Sequence, residues 1–222
     1  MMATGRCLLV GYGPGVGQGI ARAFAGAGYS LGLIARRPER QRQALEELRL
    51  GDVEAELVAA DAADGPALVA ALQGLLRPEL PTVLVYNAVA PTLGAPTTLT
   101  PERLLADLRV DVAGALAAVQ AVLPSMQERG EGSLLFTGGG FAHHPVAATS
   151  SIGIGKSALR ALVLCLAEEL GPGPVRVGLL SIMGMVAAGT PLDPARIGEA
   201  FLALQRRLGS DPSPEWLYRG EG

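Results

Sequence analysis

Five glycines at alternate positions, Gly11, Gly13, Gly15, Gly17 and Gly19, stand between the apolar run Cys7–Val10 and an amphipathic stretch opening at Ile20. A strand leading through a side-chain-free turn into a helix start makes a cradle for phosphate. Backbone N–H groups point outward, the helix dipole favours negative charge, and the missing Cβ atoms let a diphosphate approach the main chain. Glycine-rich turns also serve plain chain reversal, but this setting favours a nucleotide, with Val16 at the helix start. A second chemical signal is Arg36-Arg37, which follows the apolar run ending at Ala35. In a nucleotide-binding α/β unit that point lies beside the adenosine ribose. A carboxylate there would accept from the 2′-hydroxyl, whereas an arginine pair suits a 2′-phosphate and so NADP(H) rather than NAD. Arg36 and Arg37 could also simply begin a solvated helix, as Pro38-Glu39-Arg40 continues in the same charged style.

Smaller signals follow further along. Asp61-Ala62 closes the third apolar run, where a short polar side chain could bond the adenine amino group; Asp64 is better placed than Asp61 to cap the next helix. Asn87-Ala88-Val89-Ala90 offers small residues for a ribose to pack against. Lys156 is the only lysine, and it lies near the start of an apolar helix-like segment. His143 and His144 fall in a loop expected to border a cleft, where either could act as an acid near neutral pH or face solvent. Thr149, Ser150 and Ser151 offer hydroxyls for hydrogen bonding or for capping a helix.

The elements that must hold these groups alternate regularly. Strand-like segments are predicted at Arg6–Gly11, Ser30–Ala35, Val53–Ala60, Thr82–Tyr86, Ser133–Thr137 and Val175–Ser181. Helix-like segments lie near Gly17–Gly28, Pro38–Leu50, Asp64–Leu76, Pro101–Gln127, Ser150–Leu170 and Pro194–Leu208. Near-continuous apolar strands separated by helices imply a parallel sheet covered on both faces, doubly wound by right-handed crossovers. Ser210–Pro214 reads as a loop, and Glu215–Tyr218 as one short final strand.

The 222 residues fit a single domain over 1–222, and 49% hydrophobic content suffices for its core. A net charge of -3 with 18% charged residues gives no broad basic face, so nucleic acid is not an expected partner. Cys7 and Cys165 both read as small buried hydrophobes, and neither a disulfide nor a metal site is expected. No apolar run reaches the ~18 residues of a membrane span, and the first strand begins too early for a signal peptide. A soluble, cytoplasmic protein is the resulting expectation.

Taken together, these residues resemble the short-chain dehydrogenase/reductase family from Arg6 to about Leu208. Gly13-x3-Gly17-x-Gly19 is similar to its glycine motif, with Tyr12 where Thr is usual. Asp61 matches its adenine-binding aspartate, and Tyr86-Asn87-Ala88-Val89 resembles its Asn-Asn-Ala-Gly signature with both ends altered. The resemblance implies a Rossmann-like, three-layer αβα fold of about seven strands, a nicotinamide cofactor, and homodimers or homotetramers packed through the fourth and fifth long helices. It also implies that Lys156 bonds the nicotinamide ribose, and that the segment Ser181–Val186 contacts the carboxamide, with Met183 for the usual proline and Gly184 kept. The family's catalytic tyrosine, serine and asparagine correspond to Ile152, Gly139 and Asp111. Three of four catalytic roles are therefore vacant or altered, which leaves carbonyl or alkene reduction by a degenerate site, or silent dinucleotide binding as a sensor or scaffold.

Overall fold

The computed structural model describes residues 3–49, 51–211 and 213–220. Seven strands form one parallel sheet in the order β3-β2-β1-β4-β5-β6-β7. They are β1 (Gly5–Val10), β2 (Tyr29–Ala35), β3 (Ala55–Ala59), β4 (Thr82–Tyr86), β5 (Gly132–Gly139), β6 (Val175–Ile182) and β7 (Glu215–Tyr218). The order runs outward from β1 in both directions, so the chain reverses its winding between β1 and β4. That is where an open α/β sheet leaves a crevice beyond its strand ends.

Successive side chains of a strand face opposite ways, and β1 shows why its run is apolar throughout. Cys7 and Leu9 enter one core with α1 (Val16–Gly26), α2 (Arg42–Arg49) and α7 (Pro194–Arg207). Leu8 and Val10 enter the other with α3 (Gly65–Leu75), α5 (Gly114–Arg129) and α6 (Ser150–Leu170). The result is the expected three-layer arrangement.

Most predicted elements recur within a few residues, β7 included. The expected end of the second helix at Leu50, and Pro212 in the tail loop, lie outside the described residues. Asp64 caps α3 by accepting from the Ala67 N–H at 3.1 Å, as its position suggested.

Two expectations change. The long helix expected over Pro101–Gln127 is α4 (Pro101–Leu108), a π-helical turn over Arg109–Ala113, and α5. Inside that turn the Gly114 N–H reaches back five residues to the Arg109 carbonyl, and the Val110 carbonyl instead accepts the Tyr86 hydroxyl. A partner outside the helix thus takes one of its acceptors, which sequence periodicity does not register. Cys165 is exposed on α6, whereas Cys7 is buried as expected. Helix α6 is long and apolar enough to cross a membrane by length and composition, but Lys156 and Arg160 interrupt its apolar run, as the sequence showed. Here its inner residues Leu159, Val163 and Leu166 are buried in the second core, so its hydrophobicity serves the sheet.

Candidate active site

The cleft opens along the C-terminal ends of β1, β4, β5 and β6 and has two parts. On one side a cavity of about 810 Å³ is lined by Gly11, Gly13, Arg36, Asp61, Ala62 and Ala88, among others. Gly13 and Gly15 face open space: an added Cβ would meet no atom within 4 Å at either position. Gly15 is the N-cap of α1 at φ 82°, with no side-chain cap and no acidic residue in the first turn. Its backbone conformation excludes most side chains, and the positive end of the helix faces the cleft unshielded.

The remaining glycines hold this turn in place. At Gly11, also at positive φ (87°), a Cβ would lie 2.5 Å from the Ala88 nitrogen, so β1 and β4 meet there backbone to backbone. Gly17 abuts the Gly11 carbonyl, and Gly19 lets α1 touch α7 at Pro194. Thus Gly13 and Gly15 form the cradle, whereas Gly11, Gly17 and Gly19 are needed for packing around it.

Asn87 joins the two parts. Its Nδ2 donates to the Gly11 carbonyl at 3.0 Å, and its Oδ1 accepts from Thr137 Oγ1 at 2.9 Å. The amide therefore bridges the glycine turn and β5. Asp61 accepts from the Ala63 N–H at 2.9 Å through one oxygen and lines the first cavity. Arg36 lines that cavity; Arg37 is exposed and lies outside its lining.

The second part is a cavity of about 890 Å³ whose lining includes Gly15, Val16, Asn87, Gly139, Ile152, Lys156 and Gly184. Lys156 is 8% exposed and donates from Nζ to the Thr137 carbonyl at 2.6 Å. An ammonium has three N–H groups, so two remain for other partners. Burial lowers its pKa to about 8, and the charge of Asp111 acts in the opposite sense.

Asp111 lies in the π turn, 2% exposed, and its Oδ1 accepts the Ala90 N–H at 2.7 Å. Its Oδ2 is buried with no hydrogen-bond partner among the described residues. A Cβ on Gly155 would meet that oxygen at 2.1 Å, so a glycine on α6 makes room for the carboxylate. Burial raises its pKa to about 6, against the opposing effects of the Ala90 N–H and Lys156.

Other polar groups near the cleft are already engaged. Ser151 donates to Asp107 at 2.6 Å and Ser150 to the Gly94 carbonyl at 2.8 Å. Both tie α6 to neighbouring segments instead of serving the cleft, and Thr149, the N-cap of α6, makes no cap bond but donates its hydroxyl to the Val146 carbonyl at 3.3 Å. His143 turns away, with Nε2 2.9 Å from Glu215 Oε1, and is not in the cavity lining. His144 is exposed and lines the cavity. Glu215 also accepts from Ser181 Oγ at 2.7 Å and from Arg160 Nε at 2.8 Å. Burial pushes its pKa up, but these bonds overcome that and hold it below the usual carboxylate range. Sequence reasoning missed the bridging role of Asn87 and Thr137, the Glu215 hub, and Arg219 at the cleft. Their pairings join distant strands and leave no local pattern.

The short chain dehydrogenase family matches residues 6–193, and the chain belongs to that family of oxidoreductases. It is similar to the sulfoacetaldehyde reductase of Chromohalobacter salexigens, 30% identical over 219 residues that cover 96% of this chain and 79% of that protein. With three other curated relatives the match spans only 30%, 36% and 51% of their length. Among solved structures, a metagenomic short-chain oxidoreductase in complex with NADP superposes with a TM-score of 0.87 at 26% identity, covering 97% of each chain. An NADPH-bound short-chain oxidoreductase from Pseudomonas aeruginosa PAO1, described as containing an atypical catalytic center, shares the fold with a TM-score of 0.82 at 21% identity; it covers 90% of this chain and 89% of that one.

Proposed function

We propose that this chain binds NADP(H) across the two-part cleft and acts as an oxidoreductase on a carbonyl or activated alkene, with a catalytic site reduced to Lys156. The observation that carries this reading is the open backbone cradle at Gly13 and Gly15, continuous through Asn87 with a buried lysine. The residues fit the dinucleotide. Val16 and its neighbours at the start of α1 receive the diphosphate, Asp61 and Ala62 meet the adenine, and Arg36, with Arg37 beside it, meets the 2′-phosphate. Asn87, Ala88 and Lys156 hold the nicotinamide ribose, and Gly184 lies by the carboxamide. The sulfoacetaldehyde reductase supports the reductase reading, and the NADP complex of the metagenomic relative supports the choice of dinucleotide.

Once bound, NADPH supplies the hydride. The chain's own task is to orient the substrate and provide a proton to the oxygen or carbon that gains electron density. Ile152 lines the cleft at the family's tyrosine position and has no proton to give. Lys156 carries its ammonium beside the cleft with a pKa near 8, close to the optimum for a general acid near neutral pH. His144 stands as a second donor at the cleft, and His143 braces the loop through Glu215. Such acid assistance contributes roughly 10²–10⁴ in rate, while positioning alone supplies about 7–11 kcal/mol of the barrier. A site without tyrosine therefore remains chemically competent, though slower.

A second reading is a silent dinucleotide-binding sensor or scaffold, favoured by Ile152, which puts hydrocarbon where the acid belongs. In either reading we place the protein in the cytoplasm as a homodimer or homotetramer. Calorimetric titration with NADPH and NADH tests the shared part: NADPH should bind at least tenfold tighter, and equal or reversed affinities would remove the roles of Arg36 and Arg37. NADPH oxidation across a panel of carbonyls and enones separates the two. The enzyme reading requires turnover that Lys156→Met lowers at least 100-fold and that declines as pH rises through about 8. Tight binding without turnover leaves the sensor.

A further inference from the structure

The second part of the cleft has an unusual lining. Five of the ten large apolar side chains exposed among the described residues line it: Val89, Phe141, Val146, Met185 and Val186. Exposed hydrophobic surface gathered at one concavity marks a place where apolar matter binds. Its charge is one-sided as well. The chain has 21 acidic residues and a net charge of -3, yet among the described residues no Asp or Glu lines this cavity, and the ionisable side chains that do are those of His144, Lys156 and Arg219.

Lys156 is accounted for by the cofactor, and Arg219 is not. It follows β7 directly and is exposed at the cleft. The adjoining Tyr218 carbonyl accepts the Met183 N–H at 2.9 Å, which joins the Arg219 segment to the chain leaving β6. Open space adds to the picture. A Cβ on Gly139 would come no nearer than 4.0 Å to any atom, so the wall lacks a side chain where the family's serine orients substrate. Orientation must therefore come from elsewhere.

We propose that this cleft takes an apolar molecule bearing one anionic group, a carboxylate or sulfonate, and that Arg219 receives that anion and sets the ligand's orientation. This rests on the reading in which NADP(H) occupies the half beside Gly15 and Lys156. A guanidinium presents a rigid fork of donors that matches the two oxygens of such a group, and the apolar walls take the remainder of the ligand. Arg219 is thus a specificity residue, separate from the proton donor.

Two fluorescent probes with the same ring system test this: 1-anilinonaphthalene-8-sulfonate and the neutral N-phenyl-1-naphthylamine. Each is titrated into wild type and Arg219→Gln, with and without saturating NADP+. The sulfonate should bind the NADP+-loaded wild type at one site per chain, and Arg219→Gln should weaken it at least tenfold while changing the neutral probe less than twofold. Equal effects on both probes, no effect on either, or no binding of the sulfonate to wild type would overturn the proposal. So would a tenfold loss of NADP+ affinity in Arg219→Gln by calorimetry, because the arginine would then belong to the cofactor. If wild type fails to bind NADPH at all, the dinucleotide reading falls, and the probe arms without NADP+ still decide the role of Arg219.

Discussion

The two halves of the cleft are built from different materials. The glycine side is almost wholly backbone: Gly13 and Gly15 open it, Gly11 and Gly17 let strands and helix close around it, and α1 contributes its N-terminus. The other side depends on individual side chains, and in the proposed reading Ile152 and Gly139, which line it, and the buried Asp111 stand where tyrosine, serine and asparagine would act. Backbone function requires only that side chains be absent, and the ring of Tyr12 is buried in the first core, out of the proposed cradle. Side-chain function has no such tolerance, because removing one hydroxyl removes the proton itself. One half can remain intact while the other is altered.

The largest expected effect breaks the intact half. Gly15→Asp puts a side chain on a positive-φ residue and a carboxylate at the diphosphate site, so NADPH affinity measured by calorimetry should fall more than 100-fold. Binding kept within threefold would mean that the cradle is not the diphosphate site.

A smaller change sharpens the contrast by rebuilding the altered half. Gly139 is extended (φ −173°) and has room for a Cβ, and Ile152 lines the cavity. The double variant Ile152→Tyr/Gly139→Ser should therefore raise NADPH-dependent carbonyl reduction by roughly 10²-fold, the low end of what restored acid catalysis supplies. An unchanged rate would show that the substrate side is misshapen beyond those two positions.

The smallest effect concerns Asp111. Its folded pKa, near 6, lies above the usual carboxylate value, so the folded state holds a proton more tightly than the unfolded one between about pH 4 and 6. Stability therefore falls as pH rises through that window, and the ionised group is a net cost at pH 8. Asp111→Asn should gain about 1–2 kcal/mol at pH 8, or a few degrees in melting temperature. The gain should shrink as the pH is lowered below about 6. A loss of stability at pH 8 would mean that attraction to Lys156 outweighs the cost of burial.

How much of this was legible beforehand follows the same division. The sheet and the cradle were readable because continuous apolar strands and a glycine-rich turn leave local patterns, and even β7 was visible in four residues. Lys156 stood out as the sole lysine. The π turn was not readable, since it depends on the Tyr86 hydroxyl taking a carbonyl from a helix 24 residues away. Nor was the turning of His143 from the cleft, which depends on Glu215, 72 residues further on. Arg219 carried no motif and became visible only when the topology brought β7 beside β6.

Glu215 carries one more implication. A single carboxylate at the sheet's edge gathers the loop after β5, strand β6 and helix α6 onto β7. A chain clipped just before that strand would keep its whole nucleotide cradle yet lose the common anchor of its substrate wall. Affinity for the dinucleotide and shape of the reaction chamber would then part company, and truncation from this end would act as a selective dial on specificity.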